Sequence, residues 1–493
     1  MRAICGTLIR ATLIKVESFS DKLHEKCAVV GVSTEKSGST AAHMAYQALF
    51  ALQHRGVEGS GITTTDGGSL VSVRKPGMVR DVFHQDEMDE LQGKIAVGHN
   101  RYSTDGDRHT HLQPVVNDSI GFALAHNGNI PDTTELESYL QKRGYITSQY
   151  NDSEIFGNAI ASKLHGGRDF EAAISETSAI TDGAYACVAT HGGDLVGFRD
   201  PYGIRPLEIG RFDSGIILAS ETCALDTVGA DYIRSVKPGE IVIIRDGELA
   251  ETHQYAEANE RFDAFELVYF ARHDSMMCGQ RVDSIRRQFG VELAKVHKPS
   301  AEKDDVMVMA VPDTSVPAAE SYAAELGLQY KTAIIKNRYI GRTFMQSTQT
   351  LRQDSLRLKH TMIPELIVGK NIIMIDDSIV RGNTLPRLVV LARELGAKSV
   401  TILIASPPIR YPDFYGVDTP RQDELMAANM SVEEMRQAID ADYLGFLSVT
   451  AMVRAIGVPR DRLNLASFTG EYPISIGKRR AQIHPAVSNE YLD

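Results

Sequence analysis

Hydrophobic and polar positions change their rhythm along this chain, and the change divides it in two. EKCAVVGV (Glu25 to Val32) opens on a cysteine that leads into an alternating apolar strand, and turn-rich segments follow at short spacing, which predicts a β-rich layered domain. Further on, strand and helix patterns alternate. VMVMAVPDTS (Val306 to Ser315) is followed by a helical stretch from Pro317 to Leu326, then a basic loop, a continuous aliphatic run from Asn371 to Ile375, a helix from Leu385 to Gly396 and the strand TILIAS (Thr401 to Ser406). That order predicts βαβ units and a parallel sheet. ETHQYAEANERFD (Glu251 to Asp263), polar and charged, reads as the connection between the halves. From about Ser431 the chain, including QAIDADYLGFLSV, reads as amphipathic helical scaffold.

Composition narrows the class. A chain of 493 residues with 43% hydrophobic and 24% charged positions is an ordered globular protein, long enough for two or three domains. Its net charge of −12 argues against a nonspecific nucleic-acid binder, so any anionic substrate depends on local basic groups. No apolar run reaches the length of a membrane span, and Met1 to Lys26 lacks an apolar core and a cleavage site, so a cytoplasmic protein without membrane contact is expected. The cysteines at 5, 27, 187, 223 and 278 are scattered without a CxxC pair, and structural disulfides are not expected.

The most specific stretch is NIIMIDDSIVRGNT (Asn371 to Thr384). A buried parallel strand presents ligand-binding groups at its carboxyl end. There, Asp376 and Asp377 point to opposite sides, so at least one reaches ribose hydroxyls or a bridging metal ion. Ser378, Thr384 and the backbone around Gly382 can donate to a phosphate, assisted by the start of the next helix, and Arg381 can add charge. This segment resembles the phosphoribosyl pyrophosphate (PRPP) motif of type I phosphoribosyltransferases, in the version carried by the glutamine PRPP amidotransferase family. It departs from that version at Ile375 and Asn383. By the same resemblance VPDTS contributes to pyrophosphate and Mg²⁺ binding through Ser315, with Asp376 and Asp377 as the other metal-binding candidates. KNRYIGRTF (Lys336 to Phe344), with Lys336, Arg338 and Arg342, suits a basic loop that closes over PRPP and excludes water. Arg352 stands at the loop's far end.

In the first half, LQHRGVEGSG (Leu52 to Gly61), GHNRYST (Gly98 to Thr104), AHNGNI (Ala125 to Ile130) and NDSEI (Asn151 to Ile155) resemble, in order and spacing, the glutamine-binding segments of class II glutamine amidotransferases, which are N-terminal-nucleophile (Ntn) hydrolases. Releasing ammonia from an amide needs a nucleophile, a base and a stabiliser of the tetrahedral oxyanion. Cys27 is the matching nucleophile, and if it becomes the first residue its α-amino group, with an ordinary pKa of about 7.7 to 8.0, is the base. That requires removal of a leader, residues 1 to 26. The resemblance assigns Asn127 and Gly128 to the oxyanion hole, Arg101 and Asp152 to the α-carboxylate and α-amino group of glutamine, and Arg55 to the same pocket. Two departures stand beside these groups. Ala28 replaces the usual Gly and is expected to tighten the pocket slightly; Asn100 makes its strand more polar. Cys5-Gly6 imitates a Cys-Gly start but lacks the downstream register.

Together these resemblances imply a mixed α+β and α/β chain: an αββα layered Ntn-type glutaminase domain (27–255), a parallel-sheet type I phosphoribosyltransferase domain (264–430) and a C-terminal helical extension (431–493). FELVYFARHDS (Phe265 to Ser275) also matches the family. The implied reaction converts PRPP, glutamine and water to phosphoribosylamine, pyrophosphate and glutamate, the first step of purine synthesis. Mg²⁺ is the implied cofactor, purine nucleotides the implied feedback inhibitors, and a homo-oligomer, dimer or tetramer, the implied assembly. An apolar interdomain channel would carry ammonia, with Tyr269 and Ile340 in the matching segments. Some relatives hold a four-cysteine iron–sulfur cluster just before an FTGxYP segment. Here LNLAS precedes FTGEYP, and once Cys27 is catalytic and Cys5 removed only Cys187, Cys223 and Cys278 remain, so no cluster is expected. The competing readings are an ammonia-dependent transferase with an idle glutaminase half, and a catalytically silent PRPP or nucleotide sensor.

Overall fold

The computed structural model describes residues 27–101, 111–337, 360–417, 419 and 421–493. The expected leader with Cys5, Tyr102 to Thr104 of GHNRYST, and Arg338, Ile340, Arg342 and Arg352 of the basic loop lie outside the described residues.

Two antiparallel sheets stack in the first half. One contains β1 (Cys27–Thr34), β2 (Gly59–Thr65), β3 (Val71–Pro76), β4 (Ile95–Arg101), β9 (Glu208–Phe212), β10 (Gly215–Ala219) and β11 (Asp231–Ser235), ordered β11-β9-β10-β1-β4-β2-β3. The other contains β5 (Val115–Asn117), β6 (Phe122–Asp132), β7 (Asp182–His191), β8 (Asp194–Arg199), β12 (Glu240–Arg245) and β13 (Glu248–Gln254), ordered β13-β12-β8-β7-β6-β5. Helix α1 (Thr40–Ala51) covers the first sheet, and α2 (Asp152–His165) and α3 (Phe170–Ser178) cover the second. The αββα layering follows from strands that are apolar on both faces. On β1, Ala28, Val30 and Val32 pack towards α1, whereas Val29 joins Ile95, Val97, Ala125 and Val188 between the sheets. Alternation then puts Cys27 on the inner face, with His99 and Arg101 of β4 and Asn127 of β6.

The second half is built on a parallel sheet of β14 (Val306–Ala310), β15 (Gln329–Tyr330), β16 (Asn371–Asp376), β17 (Ser399–Ile404) and β18 (Tyr443–Phe446), ordered β15-β14-β16-β17-β18. Helices α4 (Val282–Val296) and α5 (Val316–Leu326) share one core with Val306, Val308, Ile373, Ile375 and Leu403. Helices α6 (Leu385–Glu394) and α7 (Val432–Ile439) share the other with Met307, Met309, Ile372, Met374 and Ile402. Burial on both faces is why these strands read as unbroken apolar runs. From β14 the chain crosses outward to β15, while from β16 it crosses the opposite way to β17. The crevice between β14 and β16 is therefore the topological switch point, where an open α/β sheet binds its ligand.

Two local expectations differ from what forms. Glu251 to Gln254, read as connector, completes β13, an edge strand that is polar because one of its sides meets solvent; Phe262 and Asp263 pair in parallel with Leu463 and Asn464. The stretch after Ser431 is not helical throughout. Tyr443–Phe446 is the outermost strand of the parallel sheet, too short for a periodicity to reveal.

Candidate active sites

Cys27 is buried and lies in register with Arg101 on the neighbouring strand, which is itself paired to Gly59 of LQHRGVEGSG. Across the sandwich, β6 packs on β1 and β4 and brings Asn127 to the same inner face. The Asn127 side chain is fully buried, yet neither its Oδ1 nor its Nδ2 has a hydrogen-bond partner among the described residues. Leaving a buried amide unsatisfied costs about 1–3 kcal/mol, which a fold retains where the group has work to do on a ligand. Gly128 follows within β6 with φ +146°, and a Cβ there would lie 2.0 Å from the Ala184 carbonyl oxygen, so only glycine fits this point of the strand. Asp152 opens α2 behind it. Asn151 caps the helix by accepting from Glu154 N at 2.9 Å while Glu154 returns to Asn151 N, and Asp152 Oδ2 accepts from Ile130 N at 3.1 Å. The cap thus fixes the carboxylate on Ile130, two residues beyond Gly128 on β6.

Both departures from the family pattern are absorbed. The Ala28 methyl packs in the core towards α1, on the face opposite the thiol, so it does not tighten the pocket. Asn100, fully buried, donates to Leu49 O at 2.7 Å and accepts from Ser60 Oγ at 3.3 Å.

Arg55 lies beneath Cys27. Its Nε donates to Cys27 O at 3.4 Å, and its guanidinium meets Glu221 at 2.5 Å and Glu266 at 2.8 Å, all three side chains being fully buried. Glu266 also receives Arg205 at 3.0 Å, and Arg205 reaches Asp263 at 3.0 Å. Glu221 additionally binds His54 at 2.7 Å, Arg272 N at 3.0 Å and Ser275 Oγ at 2.6 Å. Two arginines thus serve three buried carboxylates. Burial raises Asp263 to about 8, with Asp413 and Glu266 adding repulsion, while His54 and Arg55 hold Glu221 well below the usual range despite its burial. Glu266 and Tyr269 share a single π-helical turn, Glu266–Phe270, so the buried charge cluster around Arg55 joins the first half of the chain to the start of the second. Glu221, Glu266 and Arg205 were not singled out from sequence. Their signal was a lone charge inside apolar runs such as FELVYF and LASETCAL.

In the second half the loops after β14 and β16 meet at the switch point, with Val311 N donating to Ile375 O at 2.9 Å. Asp376 and Asp377 are both buried. Asp376 Oδ1 accepts from Asp377 N at 2.9 Å, and Asp377 Oδ1 accepts from Ser378 Oγ at 2.7 Å, but Asp377 Oδ2 is buried with no partner among the described residues. A buried carboxylate oxygen without a donor fits a hydroxyl or a cation. Lys336 Nζ reaches Asp313 Oδ2 at 2.9 Å and so stands over the VPDTS loop. Ser315 caps α5 and spends its hydroxyl on Val311 O at 2.5 Å. Arg381 pairs with Glu424. Gly382 has φ +74°, and a Cβ there would lie 2.4 Å from Met426 Sδ. Thr384 is the N-cap residue of α6. Arg286 of α4, another group missed from sequence, is fully buried, pushed down to about 10 by that burial, and sits in the field of Asp377. Among the described residues no group of three or more acidic, histidine or cysteine side chains forms a metal cage, and no helix is long and apolar enough to cross a membrane.

Comparison with known proteins matches this division. Residues 99–227 fit the family described as glutamine amidotransferase domain, and residues 291–408 the phosphoribosyl transferase domain. The chain is 40% identical to the amidophosphoribosyltransferase of Bacillus subtilis over 92% of its own length and 95% of that protein. It is 41% identical to that of Synechococcus elongatus, covering 92% and 93%. Among solved structures, the B. subtilis glutamine PRPP amidotransferase complexed with ADP and GMP superimposes with a TM-score of 0.84 at 39% identity, over 92% of this chain and 98% of that one.

Proposed function

This chain belongs to the amidophosphoribosyltransferase family, a phosphoribosyltransferase with glutamine amidotransferase activity that carries out the first step of purine biosynthesis, and from that premise we propose how its own residues act. The observation that carries the proposal is the pair of unsatisfied buried groups, the Asn127 amide facing the Cys27 side of the sandwich and Asp377 Oδ2 at the switch point.

Removal of residues 1–26 frees the α-amino group of Cys27, which takes the thiol proton. The thiolate attacks the glutamine amide carbon. A carbon–sulfur bond forms, and the oxyanion receives Asn127 Nδ2 and the Gly128 N–H, each donor contributing a few kcal/mol. The protonated amine returns its proton to the leaving nitrogen, ammonia departs, and water cleaves the thioester to glutamate. Arg101 and Asp152 hold the substrate's α-carboxylate and α-amino group. Arg55, committed to Glu221 and Glu266, supports the pocket by holding the Cys27 carbonyl.

At the second site Asp376 and Asp377 hold the ribose hydroxyls, and Ser378, Thr384 and the backbone at Gly382 hold the 5-phosphate. Lys336, with Arg338 and Arg342, neutralises the pyrophosphate; Arg381 orders the phosphate loop through Glu424. Ammonia's lone pair attacks the anomeric carbon, the bond to pyrophosphate oxygen breaks, and the nitrogen loses a proton. The unpartnered Asp377 oxygen fits Mg²⁺, which Asp376, Asp377 and the Ser315 loop would hold and which supplies charge neutralisation for the leaving pyrophosphate. The ADP and GMP bound by the B. subtilis relative support purine nucleotides as inhibitors here. We further assign the protein to the cytoplasm, as a dimer or tetramer with 27–255 and 264–430 as its two catalytic units.

The test is Cys27→Ala on the processed enzyme. Glutamine-dependent pyrophosphate release disappears while release with an ammonium salt stays within about twofold of wild type, because only the nucleophile is lost. An enzyme whose mass retains residues 1–26 and which still uses glutamine contradicts the α-amino base.

A further inference from the structure

The segment 266–275 runs between the two catalytic halves, and each half holds it by its own bonds. On the first-half side, Arg55, which also holds Cys27 O, pairs with Glu266, and Glu221 accepts from Arg272 N at 3.0 Å and from Ser275 Oγ at 2.6 Å. Arg272 Nη1 adds a bond to Ala51 O at 3.2 Å. On the other side, the start of α4 donates through Val282 N to Ser275 O and Asp283 N to His273 O, both at 2.9 Å. One side chain of α4, Arg286, then makes three further bonds. Its Nε donates to Leu267 O at 2.9 Å, its Nη2 to Ala271 O at 2.9 Å and its Nη1 to His273 Nδ1 at 3.2 Å. A guanidinium has donors only, so Nδ1 is the bare nitrogen of a neutral imidazole.

Arg286 is costly where it stands. It shares the buried face of α4 with Val282, Ile285, Phe289 and Leu293, and its three acceptors are two carbonyls and an imidazole, none of them anionic. An apolar side chain would fill the position at lower cost. What the guanidinium does there is close a π turn. Ala271 N reaches back to Glu266 O at 3.0 Å, but Arg272 N goes to Glu221 instead of continuing to Leu267 O, and Arg286 takes up the carbonyl left over together with that of Ala271. A planar fork reaches both oxygens at once, which a single ammonium does not. The same guanidinium sits in the field of Asp377 at the crevice. We propose that Arg286, oriented by His273, is a positioning residue of nitrogen transfer: it fixes the turn that bears Glu266 against the transferase half and so keeps the Cys27 side in register with the β14/β16 crevice. The inference rests on the two-site reading above and deepens it.

The experiment follows glutamate and pyrophosphate together, with glutamine and then with an ammonium salt, in the processed wild type and in His273→Phe, His273→Asn and Arg286→Lys. His273 is only half-buried, so its variants keep the fold even where Arg286→Lys does not. His273→Phe removes the acceptor of Nη1 and is expected to raise the ratio of glutamate to pyrophosphate from one to at least about two, because ammonia made at Cys27 is lost before it reaches the crevice. Glutamate formation and ammonium-dependent release each stay within about threefold of wild type. His273→Asn, whose carbonyl oxygen is bonded to Cγ as Nδ1 is, returns the ratio to near one. Arg286→Lys keeps the charge without the fork and raises the ratio at least as far as His273→Phe. The proposal is overturned by a ratio that stays at one in His273→Phe, by parallel loss of both half-reactions at an unchanged ratio, or by Asn behaving as Phe. The two-site reading fails in the wild type itself, if glutamine supports no pyrophosphate release, and the inference falls with it.

Discussion

Gly128 is where a single atom decides the chemistry. Its φ of +146° and the Ala184 carbonyl 2.0 Å from a would-be Cβ leave alanine no way to keep this strand backbone, so Gly128→Ala should cut glutamine-dependent turnover by at least about 10²-fold while ammonium-dependent turnover persists. Steady-state rates with the two nitrogen donors check it. His99 predicts a pH effect on the fold. The folded ring titrates near 3 and an unfolded histidine near 6.5, so between these values the unfolded chain binds the extra proton. The stability His99 confers as a neutral group is therefore complete above about pH 6.5 and is lost as pH falls towards 3, by at most about 1.4 kcal/mol per pH unit. Thermal unfolding of His99→Phe between pH 7 and 5 should show a flatter loss of Tm than wild type; an identical slope would contradict a neutral buried ring. At this scale the candidate groups Cys27, Asn127, Asp376 and Asp377 were legible in the sequence, because each sits in a local motif. It did not display what Arg55 does. The guanidinium's partners, Glu221 and Glu266, are 166 and 211 positions away, and no local pattern encodes such a pairing.

Individual elements carry the site through their ends. Helix α2 begins at Asp152, and its capping box is what aims that carboxylate. Asn151→Ala should cost about 1 kcal/mol of stability and raise KM for glutamine several-fold with a smaller change in kcat, measurable by thermal unfolding and steady-state kinetics. An unchanged KM would mean that Asp152 is held by its bond to Ile130 N alone. Gly382, with φ +74°, shapes the loop that leads into α6. Strands with both faces buried and helices with caps were legible, since their periodicity is local. Tyr443–Phe446 was not, because four residues are paired into a sheet by a neighbour strand rather than by their own pattern. The edge strand β13 was hidden for the converse reason, its polar residues resembling a linker.

Across the whole molecule, the two catalytic halves meet through buried charge as well as apolar surface. Arg55 and Arg205 are shared among Glu221, Glu266 and Asp263, and Glu266 contacts both arginines. Glu266→Gln leaves two buried guanidinium groups undercompensated and should destabilise the protein by about 3–5 kcal/mol, read as a lowered unfolding midpoint in denaturant. A change below about 1 kcal/mol would show that the remaining carboxylates suffice. The central claim is that one chain makes ammonia from glutamine on the Cys27 side and delivers it to PRPP at the β14/β16 crevice. Its most direct test follows glutamate and pyrophosphate together in one reaction of the processed enzyme with PRPP, glutamine and Mg²⁺, and repeats it with an ammonium salt. The account predicts one glutamate per pyrophosphate with glutamine, and pyrophosphate alone with ammonium. Pyrophosphate release that occurs only with ammonium, or glutamate formed without matching pyrophosphate, would contradict it.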